Sequence, residues 1–448
     1  MFETLKNAFK TKEIRVKIWF TLALILVYRI GCYIPVPTID VSVVQAAFDP
    51  SQASSGFLSI ISTLTGGSLQ NATLFALGIL PFINAFIIMQ LLTLVIPALE
   101  RMSKEGEEGR NKLTQITRIV AIVLGVVQAI GIVVAFQNAI PGIFPFEKAL
   151  DGADPQWAHP YLSMAFTIIL LVAGSTMVMW LAERITEHGV ANGSSIIIFI
   201  GILATAGTTM AKAFKMVGTQ WTYIWNIIGY ILVVIAVFVF IVFVDGSERR
   251  ITVQYSKQVK GNKMYGGQTT YIPIRVNGSG VMPIIFASSL IMFPQMIISL
   301  FFSTTKGGVW YANHMGSGTW PYYVALAVFI LAFSYFYAQI QFNPEDVARN
   351  IQQYGGFIPG IRAGKPTMLF LKKINNRITL FGAVFLMIIA LIPTFIFKAL
   401  SGGYSGYDLG FDSAFSATGL LIVVSVALEI NKQLESQIMM KHYKGFLK

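Results

Sequence analysis

Few groups in this 448-residue chain could make or break a covalent bond. Cys32 is the single cysteine, so no intramolecular disulfide is possible. The four histidines stand at 159, 188, 314 and 442, and with one cysteine they cannot build a cysteine-rich zinc site. The chain holds no HExxH, no GxSxG and no phosphate-binding loop, so no metalloprotease, serine-hydrolase or nucleotide chemistry is written in a motif. What remains is reversible chemistry. Asn84, Gln90, Gln128, Ser288 and Ser289 are hydrogen-bonding groups set inside apolar runs. Lipid penalises the amides there, so they should face protein or water, whereas the serines most often just join helices. Arg249, Arg250, Lys257, Lys260 and Lys263 crowd one polar stretch, and Arg362 and Lys365 another. Such basic stretches suit anionic lipid headgroups, or a docking platform for a large partner with phosphate-rich RNA.

The elements that carry these groups are membrane helices. Apolar residues make up 55% of the chain and charged ones 12%, about half the charged share of a soluble globular chain. That excludes an ordinary cytosolic enzyme and a disordered chain. A bilayer-crossing helix needs about 20 mainly apolar residues. Ten segments fit: 18–36, 73–97, 118–137, 161–181, 194–210, 222–244, 280–302, 321–340, 378–397 and 413–430. The fifth is short and ends in Thr205, Gly207, Thr208 and Thr209. The first carries Arg29 and runs into Pro35-Val36-Pro37 without a small-residue cleavage site, so it is expected to be retained. The segments on one side of the expected membrane hold 27 Lys and Arg, and those on the other hold 5. Both termini are therefore expected in the cytoplasm. One turn, 182–193, runs against the bias with a single basic residue, Arg184.

Ten spans divide into 1–210 and 211–430, with 431–448 as a cytoplasmic tail. Five is odd, so two such halves would sit inverted, although no internal repeat is visible in the sequence. The segment 52–67 is too short and polar to cross. It reads either as an external loop or as a re-entrant segment in a water-filled cavity, helical from about Phe57 to Leu64. In the second span Pro81 is expected to interrupt the helix, and Ile79 and Ile83 share a face. Loop 245–279 predicts a hairpin, with Ile251–Tyr255 alternating like a strand, a turn near Gly266-Gly267, and a return at Thr269–Ile274. Loop 341–377 is the other long basic loop. The middles of the spans carry no Asp, Glu, Lys or His. That absence counts against a ten-span ion-coupled transporter, the main rival reading, and against an intramembrane enzyme.

Six motifs, in order, carry a resemblance that runs from about residue 15 to 430. They are Arg29-Ile-Gly with Ile34-Pro-Val-Pro37, the 76–92 stretch, Lys104-Glu-Gly-Glu with Gly109-Arg, Ile185-Thr-Glu-His-Gly with Asn192-Gly and Ser195-Ile-Ile-Ile, Pro283-Ile-Ile-Phe-Ala-Ser-Ser, and Phe357-Ile-Pro-Gly-Ile-Arg362. Together they resemble the SecY family of protein-translocase channel subunits. The resemblance implies an all-α polytopic membrane protein of ten transmembrane helices, in two inverted five-helix halves around an hourglass pore, with a re-entrant plug helix. It implies a pore ring of Ile79, Ile83, Ile198, Ile285 and Ile422, and a plug carrying Phe57, Leu58, Ile60, Ile61 and Leu64. It implies a lateral gate between spans two/three and seven/eight, with Asn84, Gln90, Gln128, Ser288 and Ser289 as its polar seam. Arg249, Arg250, Lys257, Lys260, Lys263, Arg362 and Lys365 would meet the SecA motor or the ribosome. The implied partners also include SecE- and SecG-type small subunits, signal peptides, unfolded secretory polypeptides and anionic lipids. No cofactor is implied, and the location would be the bacterial plasma membrane. Asn84 stands where that family usually has Thr or Ser, and Tyr271 where His is common.

Overall fold

A computed structural model describes residues 8–41, 44–45, 65–139, 160–217, 223–255, 258–260, 263–265, 269–301, 305–316, 319–402 and 417–445. The plug positions Phe57, Leu58, Ile60, Ile61 and Leu64, and Lys257 of the basic loop, lie outside these residues. Helices dominate: α1 (Lys12–Gly31), α2 (Leu80–Val95), α3 (Pro97–Lys104), α4 (Glu107–Ala139), α5 (Pro160–His188), α6 (Gly193–Val217), α7 (Tyr223–Asp245), α8 (Met282–Phe301), α9 (Lys306–Met315), α10 (Trp320–Gln341), α11 (Pro344–Gln353), α12 (Lys365–Gly402) and α13 (Ala417–Gly445). Strands β1 (Glu248–Tyr255), β2 (Gln258–Lys260), β3 (Lys263–Tyr265), β4 (Thr269–Arg275) and β5 (Gly356–Phe357) stand between them.

Every expected span falls on a helix, with shifted ends. Among the described residues six helices are long and apolar enough to cross a membrane, or seven if the bent pair α2–α3 is one span. The other expected spans lie on α1, α8 and α13. α1 carries Arg15, Lys17 and Arg29, α8 has a shorter apolar stretch (Met282–Gln295), and α13 turns polar from Glu429. α1 ends at Gly31, before Pro35 and Pro37, which cannot continue it; Pro35 instead forms an isolated bridge with Thr73.

Pro81 corrects an expectation. It does not interrupt a helix begun at 73; it opens one at Leu80. At the first turn its missing N–H is one that no helical carbonyl would accept, and its fixed φ suits the helix. The preceding residues run through turns instead, with Gly78 at φ +56. At the far end Pro97 opens α3, which leaves α2 at 102°.

Two of the apolar clusters draw mainly on opposite sides of residue 211 in the chain, and others draw on both. On the first side, α4 and α5 pack residues such as Ile132, Phe136 and Leu171 against Leu69 and Leu77. On the second, α7, α8, α10, α12 and α13 share a core including Ile241, Ile284, Ile330, Leu386 and Leu421. The halves meet on two sides: α6 lies against α7 and α13, and α8 lies against α2 and α4.

The two expected strands pair, and a second, unexpected pair lies between them; the expected turn at Gly266-Gly267 lies outside the described residues. β1 pairs antiparallel with β4 from Glu248↔Arg275 to Gln254↔Thr269, and β2 pairs with β3. The sequence did not announce β5. It comes from the second basic loop and pairs with β1 at Gln254↔Phe357 and Tyr255↔Gly356, giving the order β4-β1-β5.

Candidate pore, seam and docking platform

Ile79 caps α2 and Ile83 follows one turn on, with the Ile83 amide donating to the Ile79 carbonyl at 3.1 Å. Ile198 stands on α6, Ile285 on α8 and Ile422 on α13. All five share one apolar cluster with Tyr28, Phe75, Ile202 and Val426. Ile79, Ile198 and Ile422 are 4%, 7% and 4% exposed, while Ile83 and Ile285 are half-buried. The cluster draws on both halves. The turn before α2 is pinned there, because Ser175 Oγ on α5 donates to the Gly78 carbonyl at 3.2 Å. A close-packed knot of isoleucines has no group to hydrate an ion.

The chain that follows the 52–64 stretch enters the interior. Thr65, Ser68 and Leu69 are fully buried. Gly66, at φ +69, leaves no room for a side chain: a Cβ there would stand 2.9 Å from Gly201 Cα on α6 and 3.0 Å from the Arg29 guanidinium. Gly201 is next to Ile202 of the isoleucine cluster. This end of the segment is therefore no exposed surface loop.

The seam between α2/α4 and α8/α10 is less polar in its bonding than the five residue types suggest. Ser288 Oγ donates to the Ile285 carbonyl of its own helix at 2.9 Å. Gln128 is buried, Ser289 is half-buried, and Asn84 Oδ1 is buried with no hydrogen-bond partner. Among the described residues Gln90 alone of the five bonds across, accepting from the Tyr337 hydroxyl of α10 at 2.6 Å. The seam's bulk is aromatic. Phe286 on α8 meets Tyr337 edge-on at 4.9 Å between ring centroids and Phe333 at 5.7 Å, with Ile87 of α2 in the same cluster. Tyr337 and Phe286 were missed in the sequence. An aromatic residue in an apolar span carries no local sign of its partner.

The two basic loops fold as one body. Ile251, Val253 and Ile274 of the hairpin bury against Ala348 and Ile351 of α11, Ile358, and Leu371 of α12. Gly356 is needed where β5 meets β1, because a Cβ there would lie 2.9 Å from the Tyr255 ring and 3.1 Å from Ile351. Asn343 caps α11, its Oδ1 accepting from the Glu345 amide at 3.1 Å. The cations differ in freedom. Arg250 Nε donates to Glu248 Oε1 at 2.7 Å, and its guanidinium lies 4.9 Å over the Tyr271 ring. The Glu248 carboxylate raises the pKa of Arg250 further above its usual range. Arg249 is exposed and makes no ion pair with any described residue. Arg362 and Lys365 are also exposed, where the loop enters α12. The backbone register sets Lys260 opposite Lys263, a like-charge pair on adjacent strands.

Among the described residues no group of three or more His, Cys, Asp or Glu could hold a metal ion. The chain matches the SecY family model over residues 73–431. The protein translocase subunit SecY of Streptomyces scabiei is 41% identical over 456 aligned residues, covering 100% of both chains. A solved structure described as a protein conducting channel superposes with a TM-score of 0.64 at 22% identity, covering 94% of this chain and 91% of that one. Sec61 in the canine ribosome-channel complex gives a TM-score of 0.59 at 20% identity, covering 94% and 91%. A full-length relative at that identity, together with a family model matching most of the chain, shows the family: the chain belongs to the SecY family of protein translocase subunits.

Proposed function

We propose that this translocase subunit is the protein-conducting channel itself, built of ten spans in two five-helix halves, residues 1–210 and 211–430. One observation carries the reading. Five isoleucines from elements of both halves, distant in sequence, converge in a single apolar cluster at the contact between those halves. A plain bundle buries apolar residues within each half; a gasket must be shared across the parting line. In this reading Ile79, Ile83, Ile198, Ile285 and Ile422 form the closed waist. The segment carrying Phe57, Leu58, Ile60, Ile61 and Leu64 is the plug, supported by the burial of Thr65, Ser68 and Leu69 that follow. The α2/α4–α8/α10 seam is the lateral gate through which apolar segments leave for lipid.

Transport energy comes from outside, since the sequence holds no phosphate-binding loop. The joined loops offer a platform whose exposed cations, Arg249, Arg362 and Lys365, suit an anionic partner surface. The fold neighbour in a ribosome-channel complex supports the ribosome as one partner. A SecA-type motor is the other, with SecE- and SecG-type subunits completing the channel. The excess of Lys and Arg on one side supports cytoplasmic termini, and the family supports spans in a bacterial plasma membrane. The amphipathic α3, with Arg101 and Lys104, lies suited to anionic headgroups there.

The test is protease protection of a secretory precursor in vesicles holding this chain and its small subunits. Protection that requires motor and ATP supports the channel. Absent protection, with folding and motor binding intact, refutes it in favour of another role in the translocase.

A further inference from the structure

Arg29 is the one charge set inside an expected span and away from its ends. Neither the waist, the seam nor the docking platform uses it. It stands half-buried in the last turn of α1. Among the described residues it makes no ion pair. Its Nη1 atom is buried with no hydrogen-bond partner, and the Tyr33 ring lies loosely beside it, its centroid 5.9 Å from the guanidinium carbon. Gly66 covers it from the other side. A Cβ on Gly66 would stand 3.0 Å from Nη1 and 2.9 Å from Gly201 Cα of α6. Gly66 and Gly67 both take positive φ, +69 and +82, so the chain turns tightly where it closes over the guanidinium.

A sealed guanidinium nitrogen without a partner costs free energy, because the water it gave up has not been replaced. An apolar side chain of similar length carries no such cost. The cost lasts only while the 65–67 turn stays in place. Once the turn moves away, water reaches Nη1 and the cost is gone. Arg29 therefore acts against the packed arrangement in which it is found. An ordinary packing residue does the reverse, and its loss loosens the fold.

We propose that Arg29 is a positioning residue for transport that keeps the resting closure weak: its sealed, unpaired guanidinium biases the 65–67 turn toward release, so that an arriving polypeptide displaces the plug with a smaller push. The proposal rests on the plug reading given above. One buried charged donor left unpaired shifts an equilibrium by about tenfold.

The experiment uses the full chain with its small subunits, in planar bilayers and in vesicles. Ile422→Asn serves as the background, because its expected resting conductance makes opening measurable without a precursor. Arg29→Met keeps an unbranched stem and removes the charge. In that background it is expected to lower the open-to-closed ratio about tenfold. In the otherwise wild-type chain it is expected to raise the melting temperature. Arg29→Lys keeps a charge beside the turn and is expected to hold the conductance of the background. Conductance unmoved or raised by Arg29→Met overturns the proposal, and so does a lowered melting temperature, which marks a packing residue. Arg29→Lys lowering conductance as far as Arg29→Met also overturns it, since the charge is then not the cause. Where Ile422→Asn itself does not conduct, the melting temperature alone decides. Cysteines near Leu64 and at the outer ends of the spans separate the two layers of the argument. Crosslinking confined to the resting state, with conductance unmoved by Arg29→Met, removes only the role of Arg29. Crosslinking equal at rest and during transport removes the plug, and this proposal with it.

Discussion

Ile422→Asn is the sharpest perturbation of the isoleucine cluster. Ile422 is 4% exposed and packs among side chains of both halves. Burying an isoleucine side chain is worth about 1.5–3 kcal/mol, which the closed cluster loses on substitution. An asparagine amide held there without a partner adds about 1–3 kcal/mol against the closed state. When the waist parts, the same amide meets water and both penalties fall away. A net bias of about 3 kcal/mol multiplies the open-to-closed ratio on the order of a hundredfold. Ile83 is half-buried in the same cluster. Ile83→Asn removes less buried area, so its bias is smaller, about tenfold. The assay is ion conductance across a planar bilayer with no precursor present. Raised resting conductance in both variants, larger for Ile422→Asn, is expected. If Ile422 were ordinary core, Asn would lower thermal stability and leave conductance alone. Resting conductance at the wild-type level in both folded variants would refute the shared-gasket argument.

Three further outcomes are expected. Arg362→Glu should abolish motor-driven precursor protection while leaving the circular dichroism and melting of the chain unchanged; normal transport by that variant would remove Arg362 from the platform. Gly356→Ala should push the Tyr255 ring from its place, costing about 1–3 kcal/mol of local stability. Hydrogen exchange at Gln254 and Phe357 should then quicken, and unchanged protection of both amides would show that the β1–β5 pairing does not depend on that contact. Cysteines placed near Leu64 and at the outer ends of the spans should crosslink in resting vesicles and fail to do so during transport; equal crosslinking in both states would leave the 52–67 segment without a plug role.

The helices were legible because each repeats one signal, low charge over about 20 residues. Their ends were not, because the polar turns that extend α4 to Glu107 and α12 to Lys365 lie outside that signal. Pro81 was misread for a related reason. A proline breaks a helix or starts one depending only on where the first turn falls, and that turn is fixed here by Gly78 and its bond from Ser175. The isoleucines pose a harder case. In a chain with 55% apolar residues five isoleucines carry no compositional mark, so their role came into view by resemblance, and their convergence only in the fold.

What sequence reasoning could not reach has a common physical form: a bond between residues remote along the chain, each ordinary in its own neighbourhood. Two residues, Gly356 and Phe357, are too few to show strand alternation, yet they tie the second basic loop to the first. Tyr337 resembles any interfacial aromatic until Gln90 is placed opposite it. These are also the contacts that moving parts require. The apolar cluster shared by α2, α6, α8 and α13 and the aromatic contacts beside it hold by shape and buried surface alone, so no single residue in them announces its partner.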